Sequence, residues 1–241
     1  MQFLHTPDIW SAFPTLVAGA IHVEGVRGCS DFDDLVPAFV AAARNRLSGG
    51  EGNGHTPVPE GQWPEIQAWR RVYAQMGLPP TQVRCAAEAL LRRLRQSGSL
   101  PRVHPLVDLC NAVSVHAAAP IAVFDCARVA WPMAVARARG TEDYLAFSGD
   151  VEQPVEGEVI YVDATSHAHA RKWAHRQSRQ SAVTVSTDSV LIVVEAVHAD
   201  AERSVSQALR ALDDAFGRTQ ACARTSQMLS AARPEFLQPN R

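Results

Sequence analysis

The order of patterned segments restricts this chain more than any other feature: one early strand, four helices, a run of strands, and a closing helix. Leu16, Val17, Ala18, Ala20, Ile21 and Val23 make Thr15 to Glu24 a short apolar run that reads as a buried strand. Helical spacing follows. Leu35, Phe39 and Ala42 mark a helix over 31–47, with Asp31 as its N-cap, Asp33 and Asp34 in the first turn, and Pro37 able to draw the true start toward itself. Residues 48–61 are glycine-rich and read as a loop. Ile66, Trp69, Val72 and Tyr73 mark a helix over 64–76 that Gly77 closes, and Thr81 caps another that runs to about Gln96. Leu106, Leu109, Cys110, Val113 and His116 share a face over 104–117. At Pro120 the texture changes. Residues 121–124, 133–138, 158–162, 167–173 and 190–197 read as strands, and 201–216 as a final amphipathic helix. The weakly patterned 217–241 predicts a short helix and a frayed tail. Without regular β-α alternation, the fold class is α+β: a mixed sheet built mainly from 120–197, with helices packed nearby.

Composition narrows the function. The 241 residues are 46% apolar and 20% charged, enough for a globular core. No linker stands out, so 1–241 reads as a single domain. Acids and bases nearly balance, 25 against 23, and a net charge of −2 gives no global basic footprint for nucleic acid. Any such contact must come from a local patch. Only Lys172 is a lysine among the bases, and arginine's planar fork suits phosphate, although a genome rich in arginine codons gives the same bias. Cys29, Cys85, Cys110, Cys126 and Cys222 have no paired spacing, which argues against a disulfide framework and a structural zinc site. Residues 1–10 lack the basic and apolar regions of a signal peptide, and no apolar run reaches a membrane span, so the cytoplasm is the expected compartment.

Three stretches carry a resemblance. The first is Arg84-Cys85-Ala86-Ala87-Glu88-Ala89-Leu90-Leu91-Arg92-Arg93. The second runs from Leu100-Pro101-Arg102-Val103-His104-Pro105 through Asp108, Asn111 and Ser114 to Pro120 and Phe124-Asp125. The third is Gly157 to Asp163 followed by Arg171-Lys172-Trp173-Ala174-His175-Arg176-Gln177-Ser178. In order and spacing they resemble freestanding proteins built on the editing domain of the phenylalanyl-tRNA synthetase β chain, over roughly residues 10–216. That resemblance implies the synthetase domain's α+β fold. It also implies a site that takes the aminoacylated end of tRNA and hydrolyses a wrongly attached amino acid. An aminoacyl ester is already activated, so such a site needs to hold the terminal adenosine, place a water and stabilise an oxyanion. No cofactor or metal is expected, and the implied partner is tRNA, not DNA or a membrane. The sequence departs from the family at two places. Ala122 stands where the synthetase's Pro-Leu-His-Ala-Phe-Asp-like stretch has histidine, and Gln180 or Ser181 falls where it has a tyrosine-selecting glutamate. Clearance of tyrosine is therefore not inherited with the fold.

These stretches define an expected cleft where the helix through Asp108–Ser114 meets 158–163 and 173–178. Asn111 and Ser114 would act on the ester or its water, Glu158 or Asp163 would orient the substrate ammonium, and Trp173 and Arg176 would hold the terminal nucleotide. Ala122 would leave one end roomier and less polar. Asp108, Asn111 and Ser114 would equally serve to tie helix to sheet. Arg84, Arg92, Arg93 and Arg102, with Arg95 nearby, are expected to offer an arginine face to phosphates; alternatively Arg84, Glu88 and Arg92, at i, i+4 and i+8, form only a solvated salt-bridged stripe. His167 and His169 share a strand face but lack a third metal ligand, and Cys110 near His116 offers a nucleophile or a buried thiol. The leading reading is an aminoacyl-tRNA deacylase acting in trans. The alternative is a non-catalytic module that binds tRNA or an amino acid.

Overall fold

A computed structural model describes residues 1–28, 32, 34–49, 57–218 and 223–238. In chain order it contains β1 (Gln2–His5), α1 (Pro7–Ala12), β2 (Val17–Glu24), α2 (Leu35–Leu47), α3 (Pro64–Gln75), α4 (Ala86–Ser97), α5 (Pro105–Ala117), β3 (Ile121–Asp125), β4 (Met133–Arg137), β5 (Tyr144–Leu145), β6 (Val151–Glu152), β7 (Val159–Asp163), β8 (Ala168–Arg171), β9 (Arg176–Gln177), β10 (Ser189–Ala196), α6 (Ala201–Gly217), β11 (Ala223–Leu229) and β12 (Glu235–Leu237). The class is α+β.

The strands form two principal sheets, where the sequence suggested one. A six-stranded sheet runs β12-β1-β4-β7-β8-β9, and a four-stranded sheet runs β11-β2-β10-β3. The first is mixed because β1 pairs parallel with β4; the second is antiparallel throughout. β5 and β6 form a small hairpin.

β10 explains the layering. Successive strand side chains point to opposite faces, and here both faces are buried. Leu191 and Val193 enter a core shared with Phe3 of β1, Trp69 of α3, Leu91 of α4 and Tyr161 of β7. Val190, Ile192 and Val194 enter a second core with Leu109 and Val113 of α5 and Val205 and Leu212 of α6. A strand buried on both faces reads as a continuous apolar run, as Val190–Val194 does. Gly19 of β2 lets α6 approach closely, since a Cβ there would lie 2.7 Å from both Leu209 and Val205.

The largest departure from the sequence reading lies at the termini. α6 ends at Gly217, and among the described residues after it the chain forms β11 and β12 where a short helix was expected. β11 is exposed along most of its length, so it lacks the alternation that marks a half-buried strand. β1, too short to show a period, is set by its parallel pairing with β4. α4 begins at Ala86, not beside Thr81, and Asp34 precedes α2; the Asp31 cap and Asp33 lie outside the described residues. Among the described residues no helix is long and apolar enough to cross a membrane.

Candidate active site

Strand β8 ends at Arg171, and the chain then turns through Lys172 and Trp173, both at positive φ, 48° and 58°. Two successive non-glycine residues in this region are strained and persist only where surroundings fix them. Trp173 is fixed three ways. Its backbone N–H donates to the Val159 carbonyl at 2.6 Å, its indole N–H donates to Glu195 Oε1 at 2.8 Å, and its ring meets Phe13 and Trp69 edge-on.

Beyond this turn lies a narrow cleft of about 60 Å³. Its walls are Ala86 at the start of α4, Pro120, Ile121 and Ala122 entering β3, and 173–177; Tyr161, Ala170 and Glu195 complete it. Three bonds hold the wall segments together. Ala86 N–H donates to the Ala174 carbonyl at 2.8 Å, His175 Nδ1 bonds the Arg84 carbonyl at 2.7 Å, and Gln177 Nε2 donates to the Val123 carbonyl at 2.5 Å.

Glu195 is the chemical centre of this wall, and it escaped the sequence reading. It is 2% exposed. Oε1 accepts from Trp173 and bonds His5 Nε2 at 2.6 Å, while Oε2 accepts from the Tyr161 hydroxyl at 2.5 Å. Burial, together with the Glu195 charge, pushes the Tyr161 phenol well above its ordinary value, so it remains a donor. The signal was present: a single acid inside the apolar run Val190–Val197, at a parity that turns it toward the six-stranded sheet.

His175 is the second residue the sequence reading passed over. A carbonyl accepts only, so Nδ1 carries the proton and Nε2 keeps its lone pair. Burial holds its pKa below the usual histidine value, with Lys172 and Arg176 nearby adding to the effect and the Arg84 bond opposing it.

The structure redistributes the predicted site residues. Trp173 and Arg176 line the cleft, but Trp173 is fully buried, so its ring belongs to the core and offers no face to a nucleotide. Arg176 is exposed at the rim, 2.7 Å from Glu152 and 5.4 Å from the Tyr144 ring centroid. Ser114 is buried beneath the end of α5, its hydroxyl donating to the Ala119 carbonyl at 2.7 Å. Asn111 is half-buried on α5 and does not line the cleft. Asp108 is buried in α5's first turn, where it accepts from Val103 N–H at 2.9 Å and pairs with Arg102 at 3.2 Å. The 104–117 helix thus serves the core, apart from the cleft, because its apolar face packs against α6 and β10.

Glu158 and Asp163 are likewise structural. Burial disfavours the ionised form of Glu158, but two bonds from Arg171, at 3.0 and 2.8 Å, and one from Lys172 N–H outweigh it and hold its pKa low. Asp163 opposes its own burial by bonds from His169, the His167 and Ala130 N–H groups and Thr165, which hold its carboxyl well below the usual range. Neither has a face left for a substrate ammonium. His169 is buried and engaged with Asp163 and Ser181. Ser181 is therefore committed to the interior, and the acid at the cleft comes from β10 instead. Among the described residues no group of three His, Cys, Asp or Glu is placed to hold a metal. Burial raises the Cys110 thiol far from ionisation, which removes it as a nucleophile.

The arginines separate into two kinds. Arg84 pairs at 3.5 Å with Glu88, which is buried and also meets Arg70, so this face of α4 is no solvated stripe. Arg92 and Arg93 stand exposed further along the helix.

The fold and cleft define an α+β domain in which the start of α4, the entry to β3 and the turn after β8 meet along one wall. A model of the B3/4 domain matches residues 68–233, and the chain belongs to that family. Among solved structures it is similar to an N-terminal fragment of the phenylalanyl-tRNA synthetase beta-subunit from Pyrococcus horikoshii, at 12% identity and a TM-score of 0.40. That match covers 53% of this chain and 43% of the fragment. A search of curated proteins finds no match.

Proposed function

We propose that this protein hydrolyses the ester of mischarged aminoacyl-tRNA in trans, at the cleft between β3, the α4 start and residues 173–177. One observation carries the reading: Ala122, at the amino-acid-selecting place of the synthetase-like stretch, lines the same cleft as His175. His175 Nε2 accepts a proton from water as the water oxygen attacks the ester carbonyl carbon. The carbon–oxygen bond to the ribose then breaks, and the departing ribose oxygen takes the proton from His175. The products are a free amino acid and tRNA with its terminal hydroxyl restored. Arg176 at the rim supplies positive charge for the developing oxyanion or the terminal phosphate. Exposed Arg92 and Arg93 would meet the tRNA backbone by charge.

The second reading, a binding module without chemistry, is favoured by the placement of Asn111 and Ser114 away from the cleft. Incubating the protein with a panel of aminoacyl-tRNAs separates the two. Release of at least one amino acid faster than in the His175→Ala variant supports hydrolysis. Binding without release, across the whole panel, overturns it.

A further inference from the structure

We infer that the cleft selects a small aminoacyl group, of the size of alanyl or seryl, by seating its α-ammonium against Glu195. The inference rests on the aminoacyl-ester reading above and names its substrate class.

Tyr161, Trp173 and His5 all direct polar hydrogens or a ring nitrogen at Glu195, and the first two are donors. An ionised carboxylate offers about four acceptor positions, and these three partners leave one. His5 Nδ1 is buried with no partner. The described ion pairs give Glu195 no arginine or lysine. A buried carboxyl group with no arginine or lysine beside it is costly unless further hydrogen bonds or a cation complete it, and Glu195 lines the cleft. An α-ammonium supplies both the charge and the remaining hydrogen bond.

The walls of the cleft limit size. At about 60 Å³ the cleft is narrow and suits a compact group at its inner end. Four alanines, among them Ala86 and Ala122, join Pro120 and Ile121 in the aliphatic lining, and buried Trp173 and Tyr161 close the remainder. The buried rings keep the inner part of the cleft narrow, which favours a methyl or hydroxymethyl over an aromatic aminoacyl side chain there. Ala122 lines the cleft, and its methyl group leaves that end apolar.

The experiment is calorimetric binding of non-hydrolysable amides of 3′-amino-3′-deoxyadenosine to the intact protein. Alanyl, seryl, phenylalanyl and tyrosyl amides test size, and the propionyl amide, which is alanyl without its ammonium, tests charge. The alanyl or seryl amide should bind at least tenfold more tightly than the aromatic amides and the propionyl amide. Glu195→Gln should abolish the alanyl preference over propionyl, and Ala122→Leu should weaken alanyl binding at least tenfold. Equal binding of alanyl and propionyl amides to the wild type overturns the ammonium role without recourse to a variant. Aromatic amides binding as tightly as alanyl overturn the size selection, and no binding by any amide overturns both. Whether any ester is cleaved is decided separately by the aminoacyl-tRNA panel, so the two readings fail by different results.

Discussion

Trp173 and Glu195 join the two sheets through one hydrogen bond: the indole N–H from the strained turn after β8 reaches 2.8 Å to a carboxylate on β10. The relationship makes the position of the cleft wall depend on a buried polar contact. Trp173→Phe keeps most of the ring packing and removes this donor from Glu195. Weakening the satisfaction of a buried acceptor costs about 1–3 kcal/mol. For a chain of this size each kcal/mol lowers the melting temperature by about 2–4 °C. Thermal unfolding should show that loss, and an unchanged midpoint would mean Glu195 does not need the indole.

Acid should unfold the protein through Asp163 and Glu158. Both have folded-state pKa values below their ordinary ones, after hydrogen bonds and Arg171 overcome the opposing burial. Unfolded carboxyls titrate near 3.9 and 4.3, as approximate values. The stability these groups contribute is therefore present above about pH 5 and is lost as pH falls through the folded values. The Asp163→Asn variant should be less stable than wild type at pH 7 and should lose less on acidification to pH 3. Parallel melting curves against pH for the two proteins would sink this account.

Gly19 sets the distance between α6 and β2. A Cβ there meets Leu209 and Val205 at 2.7 Å, inside any tolerable contact. Gly19→Ala should cost about 1–3 kcal/mol by overpacking, read by urea unfolding. A neutral result would show that α6 shifts freely on the sheet.

Much of this architecture was legible because the relevant physics is local. The stripe Ile66, Trp69, Val72 and Tyr73 gives α3, and the apolar run at 190–194 gives a strand buried on both faces. β1 and β11 were not legible because pairing partners distant in sequence define them. The site divided in the same way. Residues 173–177 were readable as cleft-forming from motif order, and Ala122 as a place of departure from the family. Ser114, Glu158 and Asp163 misled because a polar residue at a motif position looks the same whether it faces substrate or satisfies a buried carbonyl or arginine. Only the partners, Ala119, Arg171 and His169, distinguish the cases. Glu195 and His175 needed the reverse inference: a lone acid in an apolar strand has no motif, and the motif that holds His175 does not single it out, so burial and a partner mark both.

The exposed pair Arg92 and Arg93 should contribute to tRNA affinity without touching catalysis. Replacing both by alanine leaves up to two phosphates without a cation, so the slope of log affinity against log salt should flatten by about 0.7–0.9 for each such phosphate. The double variant, measured by filter binding across a salt series, should bind more weakly and hydrolyse at an unchanged saturating rate. An unchanged affinity and slope would make this end of α4 a plain solvated surface.

His175 should set the acid limb of hydrolysis. Its Nδ1 proton is fixed on the Arg84 carbonyl, which leaves Nε2 as the basic atom, and burial lowers its pKa below the ordinary value near 6.5. The active form is the neutral ring. A lowered pKa keeps that form populated further into acid, so the saturating rate should rise with pH, bend below 6.5 and be level by neutrality. The uncatalysed ester rate, which climbs with hydroxide, must be subtracted first. His175→Ala should lower the saturating rate about 100-fold or more, in the range of a lost general base, and abolish the bend. Its KM should move little, since the ring holds a water and not the adenosine. A variant that keeps both the rate and the bend would remove His175 from the chemistry. One that raises KM while leaving the saturating rate intact would make it part of the wall alone.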